Sequence, residues 1–164
     1  MNPRRQRLWR DLALIAVAPL LLFLLASLVT WSPADPGYSQ TGSITAPIHN
    51  ACGKVGAWIA SVLLALTGYV AFLLPIVLGV IAWIALFGMD SDGDGDADLG
   101  PALRLVGIVG FLVSATGLLH LRVAGSNDLP QQSGGIFGEL VGNSLQTLFG
   151  ALGANLFLVS LFLI

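Results

Sequence analysis

The chain has 164 residues, of which 55% are hydrophobic and only 10% charged, with a mean hydropathy of +0.86 and a formal net charge of -2. A soluble domain carries about 25% charged residues, so this composition excludes an ordinary water-soluble fold and points to an all-α integral membrane protein. No basic face is left for a nucleic acid, and Cys52, the single cysteine, excludes an intrachain disulfide.

Arg4, Arg5, Arg7 and Arg10 crowd the N-terminus ahead of the uncharged run "LALIAVAPLLLFLLASLVT", residues 12–30. That run is close to the roughly 20 residues that a helix needs to cross a bilayer. A cleavable signal peptide is the rival reading. The run exceeds the apolar core of about 7–15 residues usual in such peptides, and Pro33 sits in the would-be cleavage site, so an uncleaved helix is expected.

A Pro- and Gly-containing segment, residues 31–55, leads to the second run, residues 56–87. Two crossings would need about 40 residues and a turn, and no polar turn interrupts the run, so the pattern predicts one tilted helix. Trp58 and Trp83 are 25 residues apart. On a straight helix that is roughly 38 Å, which sets one indole at each interface. Pro75 is predicted to kink the helix where it removes a backbone donor.

Residues 88–101 hold Asp90, Asp92, Asp94, Asp96 and Asp98 alternating with small residues. Gly95 is sixth counting from Asp90, as in an EF-hand, but Pro101 replaces the bidentate glutamate at the twelfth position and the flanking runs are membrane helices. A solvated connector with a weak attraction for divalent cations is expected there, rather than a specific metal site.

The third run, residues 102–121, has Arg104 near its start and His120 and Arg122 at its end, where long side chains can reach headgroups. In "GGIFGELVGNSLQTLF" the polar and apolar residues fall on opposite sides of a helix, which describes an amphipathic helix lying in the interface or a re-entrant segment. Gly134, Gly138 and Gly142, with Gly135, form a small-residue ladder that suits close helix packing, within the chain or between copies of it. The fourth run, residues 150–164, would reach only about 22 Å. Either its helix starts earlier or the chain is part of a longer protein.

These runs make a single domain over residues 1–164, with four membrane spans and an amphipathic helix before the last. The four N-terminal arginines predict a cytoplasmic N-terminus. Residues 31–55 and about 122–149 then face the periplasm, and residues 88–101 and the C-terminus face the cytoplasm.

"WSPADPGYSQTG" followed by "APIHNACGKVGAW" resembles the segment after the first transmembrane helix in FtsK-type bacterial cell-division DNA translocases. Trp31, Ser32, Pro33, Asp35, Pro36 and Ser39, then Pro47, His49, Asn50, Gly53, Gly56, Ala57 and Trp58, carry the resemblance. "SGGIFGELVG" is similar to the double-glycine segment before that family's last span. The resemblance implies an N-terminal membrane domain that anchors the protein at the division septum of the inner membrane and contacts other division proteins. It also implies assembly as a hexamer around a C-terminal ATP-driven DNA motor. The chain itself has no G-x-x-x-x-G-K-[ST] phosphate loop, so no nucleotide binding, nucleic-acid binding or cofactor is expected of it.

Two classes of function follow. In the first the chain is a membrane anchor and assembly module, and Trp31, Ser32, Pro33, Asp35, Pro36, Pro47, His49 and Asn50 are the candidate partner contacts. In the second it is a small oligomeric channel or transporter subunit. Transport usually needs ionisable groups or broken helices deep in the bilayer, whereas the charges here sit at the ends of the runs. An intramembrane enzyme lacks its parts, because Glu139, His49 and His120 have no acid-base or metal-ligand spacing.

Overall fold

In hydrocarbon every backbone polar group must be satisfied within the protein, and a helix does this inside one segment. The computed structural model describes residues 3–38, 47–87, 100–123 and 129–163. Among these the elements are all helical: α1 (Pro3–Val29), α2 (Gly53–Thr67), a 3-10 segment (Gly68–Leu73), α3 (Leu74–Phe87), α4 (Gly100–Arg122) and α5 (Gly135–Phe162). Four stretches, Arg10–Val29, Gly53–Phe87, Leu103–Arg122 and Gly135–Phe162, are long and apolar enough to cross a membrane. Side chains such as Leu20, Ile76, Val106 and Leu152 are exposed on their surfaces. Such a surface would be an aggregation liability in water and is an ordinary one in lipid. The buried core is small, with Leu28, Ala60, Leu64 and Ala71 at its centre.

The second apolar run departs from the single tilted helix, kinked at Pro75, that is predicted for it. Ser27 of α1 bonds to Gly56, while Leu21 lies against Gly79. The six residues from Leu21 to Ser27 rise about 9 Å, whereas the 23 from Gly56 to Gly79 would rise about 35 Å if straight. The chain therefore bends sharply between them, and α2 packs across the end of α1 while α3 packs along it. The bend is at Gly68, whose φ of 60° and ψ of -138° lie in a region open essentially to glycine alone. Pro75 does not cause it. It is the second residue of α3, in the first turn, where a missing N–H costs nothing. Trp58 and Trp83 accordingly do not sit on one straight axis. The 3-10 segment and α3 together extend about 33 Å, enough to cross the hydrocarbon without α2.

The fourth run also does not begin where its apolar stretch does. It joins the amphipathic segment in α5, which is broken at Gly150 (φ 68°, ψ 175°) into limbs of residues 135–149 and 151–162. A Cβ placed on Gly117 of α4 would be 3.3 Å from Val141 and 3.1 Å from Leu158. Those two residues would be about 25 Å apart on a straight helix, so both limbs fold onto α4.

The two halves of the chain share one plan. Gly53, Gly68, Gly135 and Gly150 are the glycines of positive φ among the described residues. They form two pairs, 53 with 68 and 135 with 150, each fifteen residues apart. Within each pair a short helix crosses the end of the preceding long helix, and after it the chain turns back. The halves meet where Tyr69 N–H donates to the Ser133 carbonyl at 2.9 Å. Gly68 abuts Ser133 and Gly135 so closely there that a Cβ on it would overlap the Ser133 carbonyl.

Candidate functional site

The segment between α1 and α2 is held by a chain of hydrogen bonds that begins at the end of α1. The last turn of a helix leaves carbonyls without intrahelical partners, and a polar side chain from a following loop can satisfy them. Asn50 does so. Its Nδ2 donates to the Ser27 carbonyl at 2.7 Å, while its Oδ1 accepts from Cys52 N–H at 2.9 Å just before α2. Ser27 Oγ donates in turn to the Gly56 carbonyl at 2.5 Å. Gly56 admits this approach because a Cβ there would collide with Cys52 and Asn50.

Asp35 closes the loop on this hub. Its carboxylate accepts from His49 N–H at 2.8 Å and from Asn50 N–H at 2.9 Å, and the His49 ring Nδ1 lies 3.3 Å from it. Asp35 and Asn50 are each only 4% exposed. A buried carboxylate is stable only with such donors around it. Further along, Tyr38 N–H donates to Ser61 Oγ, which ties the loop to the middle of α2. Ala51 N–H donates to Thr30 Oγ1.

The residues expected to contact partners thus separate into two sets. Asp35 and Asn50 face inward and hold the loop, and Trp31, Ser32 and Pro36 are half-buried, Trp31 against the core. Pro33, Pro47 and His49 are exposed and remain available to a partner. Ser39 lies outside the described residues. Sequence reasoning missed Ser27, Thr30 and Ser61, because nothing in a lone serine within an apolar run announces which turn of another helix it will meet.

Gly134, Gly138 and Gly142 face α4 of the same chain, where a Cβ on each would press on Thr116, His120 or Leu121. Gly135 instead meets Leu66 and Gly68 across the junction of the halves. Beside the ladder, His120 Nε2 is 3.1 Å from Asn143 Oδ1, and its Nδ1 is buried without a hydrogen-bond partner. Arg4, Arg5, Arg7 and Arg10 fall in the first turns of α1, and the Arg10 guanidinium lies 4.4 Å from the centre of the Phe87 ring at the end of α3. Asp90, Asp92, Asp94, Asp96 and Asp98 lie outside the described residues. Among the described residues no three His, Cys, Asp or Glu side chains come together as a metal site. The Cys52 thiol donates to the Phe23 carbonyl, so it is taken up in holding the start of α2 against α1.

Residues 6–164 match the family model described as the 4TM region of DNA translocase FtsK/SpoIIIE. The chain is 32% identical over 151 residues to the DNA translocase FtsK of Pseudomonas syringae pv. syringae, covering 92% of this chain and 19% of that protein. It is 34% identical to the protein of the same name from Pseudomonas putida, covering 92% and 18%. With that from Shewanella oneidensis it shares 35% identity, covering 89% and 16%. The chain therefore spans less than a fifth of the length of these relatives. No solved structure matches it.

Proposed function

This chain belongs to the family of the 4TM region of FtsK/SpoIIIE DNA translocases, and we propose that it anchors such a translocase to the membrane at the division septum. It is a multi-pass membrane protein, and residues 6–164 match the family's membrane region. The observation that carries the proposal is the continuous match over residues 6–164, which takes in all four apolar helices and the loop between α1 and α2.

In this reading the protein sits in the inner membrane with both termini cytoplasmic and holds a cytoplasmic DNA motor at the septum. Its copies assemble, as a hexamer if the motor sets the number, and the exposed part of the first external loop contacts other division proteins. The hydrogen-bonded clamp of Asp35 and Asn50 would present Pro33, Pro47 and His49 in a fixed geometry, which lowers the entropy cost of recognition.

Localisation tests this. The chain, fused at its N-terminus to a fluorescent protein, is expected to form a mid-cell band in dividing bacteria. Joint substitution of Pro33, Pro47 and His49 by alanine should weaken the band without lowering the amount of protein in the membrane. An even outline around the cell from the unsubstituted chain would overturn the septal reading. Ion flux into liposomes holding this chain alone would then favour the channel alternative.

A further inference from the structure

The geometry points to a binding site for one anionic glycerophospholipid in the groove between the 3-10 segment, α4 and the second limb of α5. The groove encloses about 520 Å³ and has Arg122 and Tyr69 among its lining residues. Arg122 stands at one end of α4, and the Phe111 and Phe162 rings, 4.8 Å apart, lie toward the other end of the groove. Between them the lining is apolar, with Leu73 on one side and Leu118 on the other.

Three observations select the ligand. First, the eleven residues from Phe111 to Arg122 rise about 16 Å, close to half of the roughly 30 Å hydrocarbon core, so the groove has the depth of a single leaflet. An acyl chain entering beside Arg122 would end near the two phenylalanines. Second, Arg122 is exposed and has no acidic partner among the described residues. Its Nε donates to Asn155 Oδ1 at 2.8 Å, which fixes the plane of the guanidinium while its charge stays uncompensated. A phosphodiester is the group that a guanidinium at headgroup level would take. Third, among the described residues no aspartate or glutamate lines the groove. An ammonium headgroup would find no counter-charge there, so a lipid of net negative charge is favoured over a zwitterionic one. This site stands on the membrane assignment alone and is independent of the septal role.

The full chain, extracted from membranes and reconstituted in nanodiscs of equimolar phosphatidylglycerol and phosphatidylethanolamine, is read by native mass spectrometry for lipid retained after the disc is stripped. The expected result is one retained lipid, with phosphatidylglycerol preferred about fivefold, the worth of one basic residue facing an anionic lipid. Arg122→Gln should bring the preference to parity, Arg122→Lys should keep most of it, and Arg104→Gln, at the far end of α4, should leave it unchanged. Leu118→Trp, which fills the groove, should remove the retained lipid. Equal retention of the two lipids by the unsubstituted chain would overturn the proposal. So would a preference that survives Arg122→Gln, or a lipid-free dimer that Leu118→Trp dissociates, since the groove would then hold a second copy.

Discussion

Asp35 shows how one side chain can set the form of a loop. Its carboxylate takes two backbone N–H groups, from His49 and Asn50, that otherwise have no acceptor. Replacing it with alanine strands the buried Asn50 donor, at a cost of about 1–3 kcal/mol, and leaves the partly buried His49 donor without its acceptor. Asp35→Ala is therefore expected to lower the thermal unfolding midpoint of the detergent-solubilised protein clearly. Pro33→Ala and His49→Ala, at exposed positions, should change stability by no more than about 0.5 kcal/mol. An unchanged midpoint for Asp35→Ala would mean that the clamp carries no stability. The motif around these residues was visible in the sequence, but its meaning was not. Asp35, Asn50 and Gly56 stand out as a pattern because Asp35 binds Asn50 across 14 residues of intervening chain and Gly56 makes room for Asn50, and a pattern of letters does not distinguish such partners from residues that await an outside one.

At the scale of the elements, hydropathy alone located the four apolar helices, because each must be nearly uncharged over its length to cross hydrocarbon. It could not locate the bends. A glycine within an apolar run reads equally well as a packing contact or as a break, and the stronger conventional signal, Pro75, falls in a helix's first turn where it breaks nothing. The four left-handed glycines give a graded test. Alanine at any of them is held in a strained conformation that costs about 1–3 kcal/mol. At Gly53 and Gly150 a Cβ would meet nothing within 4 Å, whereas at Gly68 and Gly135 it would overlap backbone atoms that cannot move aside. Gly68→Ala and Gly135→Ala should therefore cost much more than Gly53→Ala and Gly150→Ala, seen as a smaller folded fraction by size-exclusion chromatography in detergent. Equal losses at all four would show that conformational strain alone matters and that the close approach of the halves does not.

For the whole molecule, the repeated plan fixes direction. α1 and α4 run the same way, and each is followed by a short helix that crosses its end, a glycine break and a returning helix. The repeat is faint in the sequence because the shared residues between the two crossing segments are mainly those that geometry requires. Gly53, Gly56 and Gly68 correspond to Gly135, Gly138 and Gly150, and Leu63 and Leu66 to Leu145 and Leu148. Because the halves are parallel, their basic residues add instead of cancelling. Arg4, Arg5, Arg7, Arg10 and Arg104 gather at the end where α1 and α4 begin, against Lys54 and Arg122 at the end where they finish. Cationic residues are generally retained on the cytoplasmic side, so this asymmetry is expected to orient both halves together. In a Cys52→Ser background, Ala34→Cys is expected to react with a membrane-impermeant maleimide added outside spheroplasts, and Asp11→Cys only after lysis. Both positions are exposed, so access depends on which side of the membrane each occupies. Neutralising Arg4, Arg5, Arg7 and Arg10 together leaves Arg104 against Lys54 and Arg122, which reverses the balance. A mixed labelling pattern should result, and a pattern unchanged by that loss would show that orientation is set by something other than the arginines.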